Sequence, residues 1–65
     1  MKPVYIVMLH NLVTGMSFVN FASANKDDAI EFFKNQDHKK PYIIWVIKEW
    51  KGKERKVLDI KKNEL

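Results

Sequence analysis

The residues able to do chemistry are few: His10 and His38, Ser17 and Ser23, the acid pair Asp27-Asp28, and the Asp37-His38 dipeptide. A structural metal centre needs about four converging ligands, but neither histidine stands at ligand spacing from the other and the chain has no cysteine. Asp37-His38 has the pairing of a carboxylate-oriented base, yet it falls in an expected loop, and no serine or cysteine occupies a recognisable nucleophile elbow. Ser17 and Ser23 are explained by strand and turn positions. Asp27 and Asp28 would point in different directions on a helix, and acids are favoured at a helix start by the peptide dipoles. Gly15 and Gly52 are isolated, so no glycine-rich loop cradles phosphate. The expectation is a non-enzymatic protein with no catalytic residues, no metal and no cofactor.

The other residues of functional interest are basic and aromatic. Lys51, Lys53, Arg55 and Lys56 gather at an expected hairpin tip beside Trp50, and Lys39 and Lys40, from the loop before Pro41, are expected to join them. Such a tip can lie along a phosphate backbone or enter an acidic cleft. Glu49 and Glu54 interleave with it, and lysines on exposed hairpins also serve simply to discourage edge pairing. Arg55 is the only arginine among twelve basic residues. Lysine lacks the planar fork that reads guanine edges, so nucleic-acid binding would use the backbone, with little sequence preference. Trp50 can anchor a protein interface, stack on a base, or pin the hairpin as a cross-strand partner. Charge is unevenly spread within a net of +4: apart from Lys2, no residue before Lys26 is ionised at neutral pH, and the positive excess lies from Lys39 onward.

These side chains need a frame. Residues 4–9 are β-branched and aromatic and follow Pro3, which predicts a strand; residues 11–15 supply turn chemistry, with Gly15 free to take positive φ, and residues 16–21 return as a second strand. Asn25 suits the N-cap of a helix beginning at Lys26. Ala29, Ile30, Phe32 and Phe33 form its apolar stripe, opposite Asp28, Glu31, Lys34 and Asn35, and it should stop near Gln36 or Asp37. Pro41 disfavours helical geometry at Lys40. Residues 42–47 give the strongest strand signal, extending through 48–50. A turn at 51–54 leads to a last strand at 55–61, where Leu58 and Ile60 are expected to share a face with Lys56. Residues 62–65 read as a frayed tail. The expected architecture is one α+β domain over residues 1–65, ββαββ, a four-stranded antiparallel sheet with one helix packed on one face.

One helix cannot roof both faces of that sheet. The first strand sets Val4, Ile6 and Met8 against Tyr5, Val7 and Leu9; the third sets Tyr42, Ile44 and Val46 against Ile43, Trp45 and Ile47. No register hides both sets. The surplus predicts an exposed apolar face, or one covered by a second copy or another protein, with Tyr5 and Trp45 among the contact residues. Alternatively, strand twist and short loops cover part of the surplus and leave a monomer with half-buried aromatics.

Composition sets the outer limits. With 46% hydrophobic and 31% charged residues the chain is neither disordered nor fibrous. At 65 residues it buries only about 60% of its unfolded surface, so further support is expected, and without cysteine the candidate is self-association into a homodimer. No apolar run nears the roughly 20 residues of a membrane span, and His10 and Asn11 break the first one before it could act as a signal core. A cytoplasmic protein with no membrane partner is expected. The run Val4-Tyr5-Ile6, then Thr14-Gly15 and Phe18-Val19 followed by a helix, resembles the opening hairpin and helix of GIY-YIG nucleases over about half the chain. The family's second tyrosine-glycine motif, its helix arginine and its later acidic helix are absent, so the resemblance implies a shared hairpin-helix shape without the activity. The functional expectation is a small interaction module that binds a larger protein. Its size and its use of lysine, asparagine and isoleucine suit an inhibitor or antitoxin of a phage or mobile element. The alternative is a nucleic-acid-binding module using the basic hairpin.

Overall fold

Local side-chain chemistry fixes where each element begins and ends. The order is β1 (Val4–Asn11), β2 (Ser17–Ser23), α1 (Lys26–Lys34), β3 (Ile43–Lys51) and β4 (Glu54–Lys62), in a computed structural model that describes residues 2–36 and 40–62. In the β1–β2 loop the Asn11 side-chain oxygen accepts from the amides of Val13 at 2.9 Å and Thr14 at 3.1 Å, and Gly15 takes φ +75°. Gly52-Lys53 joins β3 to β4. Gly52 has φ +60° and no described non-glycine residue has positive φ, the sign pattern of a type II′ hairpin turn.

Asn25 caps α1 as its sequence position predicts: its side-chain oxygen accepts from the Asp27 and Asp28 amides at 2.9 and 3.2 Å. The helix ends at Lys34, shortly before the expected Gln36, because the last turn tightens: the Gln36 amide bonds the Phe33 carbonyl at 3.3 Å. Two side chains close its C-terminus. Gln36 Nε2 donates to the Phe32 carbonyl at 2.8 Å, and Lys61 Nζ reaches across from β4 to the Lys34 carbonyl at 2.6 Å, a cation at the negative end of the dipole.

All strand pairs are antiparallel, in the order β2-β1-β3-β4, so the first strands of the two hairpins meet in the centre and β2 and β4 form the edges. Helix α1 packs across β2, β1 and β3. This is the expected α+β architecture. The core lies between helix and sheet: Tyr5 and Val7 from β1, Trp45 and Ile47 from β3, Ala29 and Phe33 from α1. Phe21 stacks on Phe32 beside it, ring centroids 4.7 Å apart.

Two expectations of placement change. Tyr5 and Trp45, read as contact residues on an uncovered face, are buried beneath α1. The apolar stripe of the helix selects the face with the larger aromatics. Leu58 and Ile60, expected on one face, lie on opposite faces. A bulge in β4 sets Ile47 opposite Asp59 but Lys48 opposite Val57. The extra residue reverses the alternation after Leu58. Leu58 therefore joins the packing under the helix, while Ile60 faces Val46 on the other side and remains 53% exposed.

Candidate functional site

The sheet face opposite α1 follows from the register. It carries Ile6 and Met8 from β1, Val19 from β2, Ile44, Val46, Lys48 and Trp50 from β3, and Arg55, Val57, Ile60 and Lys62 from β4. At its centre Ile6 and Val46 are buried without any helix above them. Ile6 stands between Ala22 and Lys48, and Val46 between Met8 and Ile60, so flanking side chains fold over the two middle positions. Apolar exposure is displaced to the flanks, where Val19, Val57 and Ile60 are each about half exposed. The anticipated surplus therefore exists, in residues other than those anticipated, and strand neighbours cover part of it.

Charge is sorted by face. Lys48, Arg55 and Lys62 project on the helix-free side, and among the described residues no aspartate or glutamate does. The register puts Glu49 and Glu54 on the opposite side. The bulge turns Asp59 the same way, into a cleft it shares with Lys26 and Ile30 of α1. Asp27, Asp28 and Glu31 belong to the helix. The uncovered face is thus apolar and cationic, and the helix layer holds the described carboxylates.

Trp50 and Arg55 face each other at the hairpin end of this surface. The guanidinium carbon lies 4.5 Å from the ring centroid, and Nη1 donates to the Gly52 carbonyl at 2.7 Å and the Glu54 carbonyl at 3.0 Å. Arginine covers one indole face and is itself tied to the turn, the arrangement of a pinned hairpin. Trp50 Nε1 is buried with no hydrogen-bond partner among the described residues.

Lys51, Lys53, Arg55 and Lys56 are exposed around this tip. Lys40 is exposed too, but the Ile43 amide bonds the Lys40 carbonyl at 3.1 Å, which holds Lys40 at the start of β3. Lys51 stands at the other end of β3, roughly 26 Å along the strand from Ile43, so Lys40 does not join the basic tip. Lys39, with Asp37 and His38, lies outside the described residues.

The opposite end of the face holds a shallow groove of about 440 Å³, lined by His10, Met16, Ser17, Ile44, Ile60 and Lys62 among others. There His10 Nδ1 and Ser17 Oγ, a cross-strand pair, hydrogen-bond at 2.5 Å. Sequence spacing hid this pair, since the two are seven residues apart and meet only once the hairpin closes. A hydroxyl beside an imidazole is half of a nucleophilic triad, but among the described residues no carboxylate lines the groove to orient the ring. No cluster of three or more histidine, aspartate or glutamate residues able to hold a metal occurs among the described residues. No described helix is long and apolar enough to cross a membrane. No family model matches this chain, and neither a curated protein nor a solved structure matches it.

Proposed function

We propose that this protein is a non-catalytic interaction module, acting in the cytoplasm as a homodimer, whose helix-free sheet face docks on an acidic, partly apolar surface of a larger protein. The observation that carries this reading is the sorting of charge: half-exposed Val19, Val57 and Ile60 stand among Lys48, Arg55 and Lys62 with no described carboxylate on that side. Aliphatic contact area bounded by one sign of charge suits a protein surface of the opposite sign. Its size and its use of lysine, asparagine and isoleucine support reading it as an inhibitor- or antitoxin-type protein of a phage or mobile element.

Binding of single-stranded nucleic acid is the second reading, favoured by the exposed Lys51, Lys53 and Lys56. Against it, a stacking platform needs free aromatic faces, and Tyr5 and Trp45 are buried while Arg55 covers one face of Trp50. The test is capture of partners from host extract with the wild-type chain and with Val57→Glu/Ile60→Glu, alongside titration of labelled DNA and RNA at two salt concentrations. The expected result is a protein retained by the wild type, lost with the face variant, and no nucleic-acid affinity at low salt. Retention unchanged by the face variant overturns the docking face. Salt-sensitive nucleic-acid binding that disappears with Lys51→Ala/Lys53→Ala establishes the second reading instead.

A further inference from the structure

We infer that β2 is the dimer edge: residues 16–19 pair antiparallel with the same residues of a second copy, about a two-fold axis at Phe18, to make one eight-stranded sheet. This rests on the reading of the protein as a homodimer and specifies the surface.

The two edges of the sheet differ in what pairing would bring together. Strand β4 carries Arg55, Lys56, Lys61 and Lys62 against Glu54 and Asp59, and antiparallel self-pairing centred on Leu58 would set Arg55 beside the second copy's Lys61. Strand β2, Ser-Phe-Val-Asn-Phe-Ala-Ser, has no ionisable residue, no proline and no glycine. Its first half is also the apolar part of the edge, with Met16, Phe18 and Val19 all half exposed or more.

Hydrogen-bond phase makes this segment self-complementary. The Asn11 amide bonds the Met16 carbonyl at 2.8 Å, and counting along the antiparallel ladder from there, Leu9 and Phe18 bond each other while Ser17 and Val19 turn their N–H and C=O groups outward. A two-fold axis at Phe18 sets Ser17 opposite the second copy's Val19 and Val19 opposite its Ser17. All four outward N–H groups, two from each copy, then meet outward carbonyls. Phe18 faces its own symmetry mate in a non-hydrogen-bonded pair, where side chains approach closest. The register shift between Val7 and Met8 puts the extra residue at Asn20, which ends the flat edge just beyond Val19 and limits pairing to this stretch.

Charge opposes a second copy least at this edge, where no ionisable residue stands. Each chain is net +4, and β4, with four basic residues against Glu54 and Asp59, supplies half of that. Joining through β2 sends the two β4 strands to the far edges, seven strand spacings apart, roughly 34 Å against a screening length of about 8 Å. The uncovered faces then form one continuous surface, and the dimer leaves both docking faces free.

The chain contains no cysteine, so Phe18→Cys and Val57→Cys are single-thiol reporters of the edge and of the open face. With oxidised glutathione as oxidant, Phe18→Cys should close to a disulfide-linked dimer and Val57→Cys should not. In sedimentation over a concentration series, Val19→Pro, which removes an outward N–H, and Phe18→Lys, which opposes two charges at the axis, should each raise the dimer dissociation constant at least about tenfold. Circular dichroism is the check that both variants keep the fold. A wild-type chain that stays monomeric at every concentration overturns the homodimer itself. A wild-type dimer that crosslinks through Val57→Cys, or that is unaffected by both edge variants, keeps the homodimer and overturns the β2 edge; capture of a strand from another protein at β2 does so as well.

Discussion

The two faces of this sheet draw on the same strands and reach burial by different means. Under α1, Val7 and Ile47 are sealed by Ala29 and Phe33 from another element. On the other side Ile6 and Val46 are nearly as well hidden, but their cover is the side chains of adjacent strands. The helix seals its face over β1 and β3 but stops short of Phe18 at the β2 edge, which is half exposed; in-plane neighbours protect only the middle of the other face and leave its flanks half bare. On the open face the largest apolar exposure therefore falls on Val19, Val57 and Ile60, and a partner would complete the burial there.

The largest effect expected belongs to the sealed face. Phe33→Ala should cost about 3 to 5 kcal/mol, as much as a core this small contributes in total, so the variant should be unfolded in circular dichroism at room temperature. A cooperative melt near that of the wild type would mean that the helix-covered core is not the main source of stability. Next, Leu58→Ala should cost about 1 to 2 kcal/mol and Ile60→Ala under about 0.5 kcal/mol, measured by urea denaturation, since the bulge puts only Leu58 under the helix. Equal losses would mean that straight alternation holds and that the faces are assigned wrongly along β4. The smallest effect comes from loosening the cover itself: Asn25→Ala should cost about 1 kcal/mol of stability yet leave capture by the open face unchanged. A parallel loss of binding would show that the two faces are not independent.

Much of the frame was legible in residue types. Asn25 announced the helix start, Gly15 and Gly52 the two hairpin turns, and period-two runs the strands. The uncovered face was legible as an imbalance, one short helix against strands apolar on both sides. What could not be read was which face the helix would choose. Tyr5 and Trp45 share alternation with Val7 and Ile47, and only packing against Ala29 and Phe33 shows them to be core. The two bulges were also invisible, because an inserted residue leaves composition untouched while reversing everything after it. The bulge in β4 moved Ile60 to the open side and Asp59 to the helix side, which leaves the described residues of the open face with a single sign of charge. Lys40 misled for another reason: proximity of two loops in a list of elements says nothing about which ends of the strands they join.

That sorting of charge across a body whose dimensions are 38 × 22 × 16 Å makes the molecule a polar plate. Near an anionic surface the electric field exerts a torque on it, turning Lys48, Arg55 and Lys62 forward before any contact forms. Encounters would begin in a productive orientation, so added salt should slow arrival much more than it hastens departure.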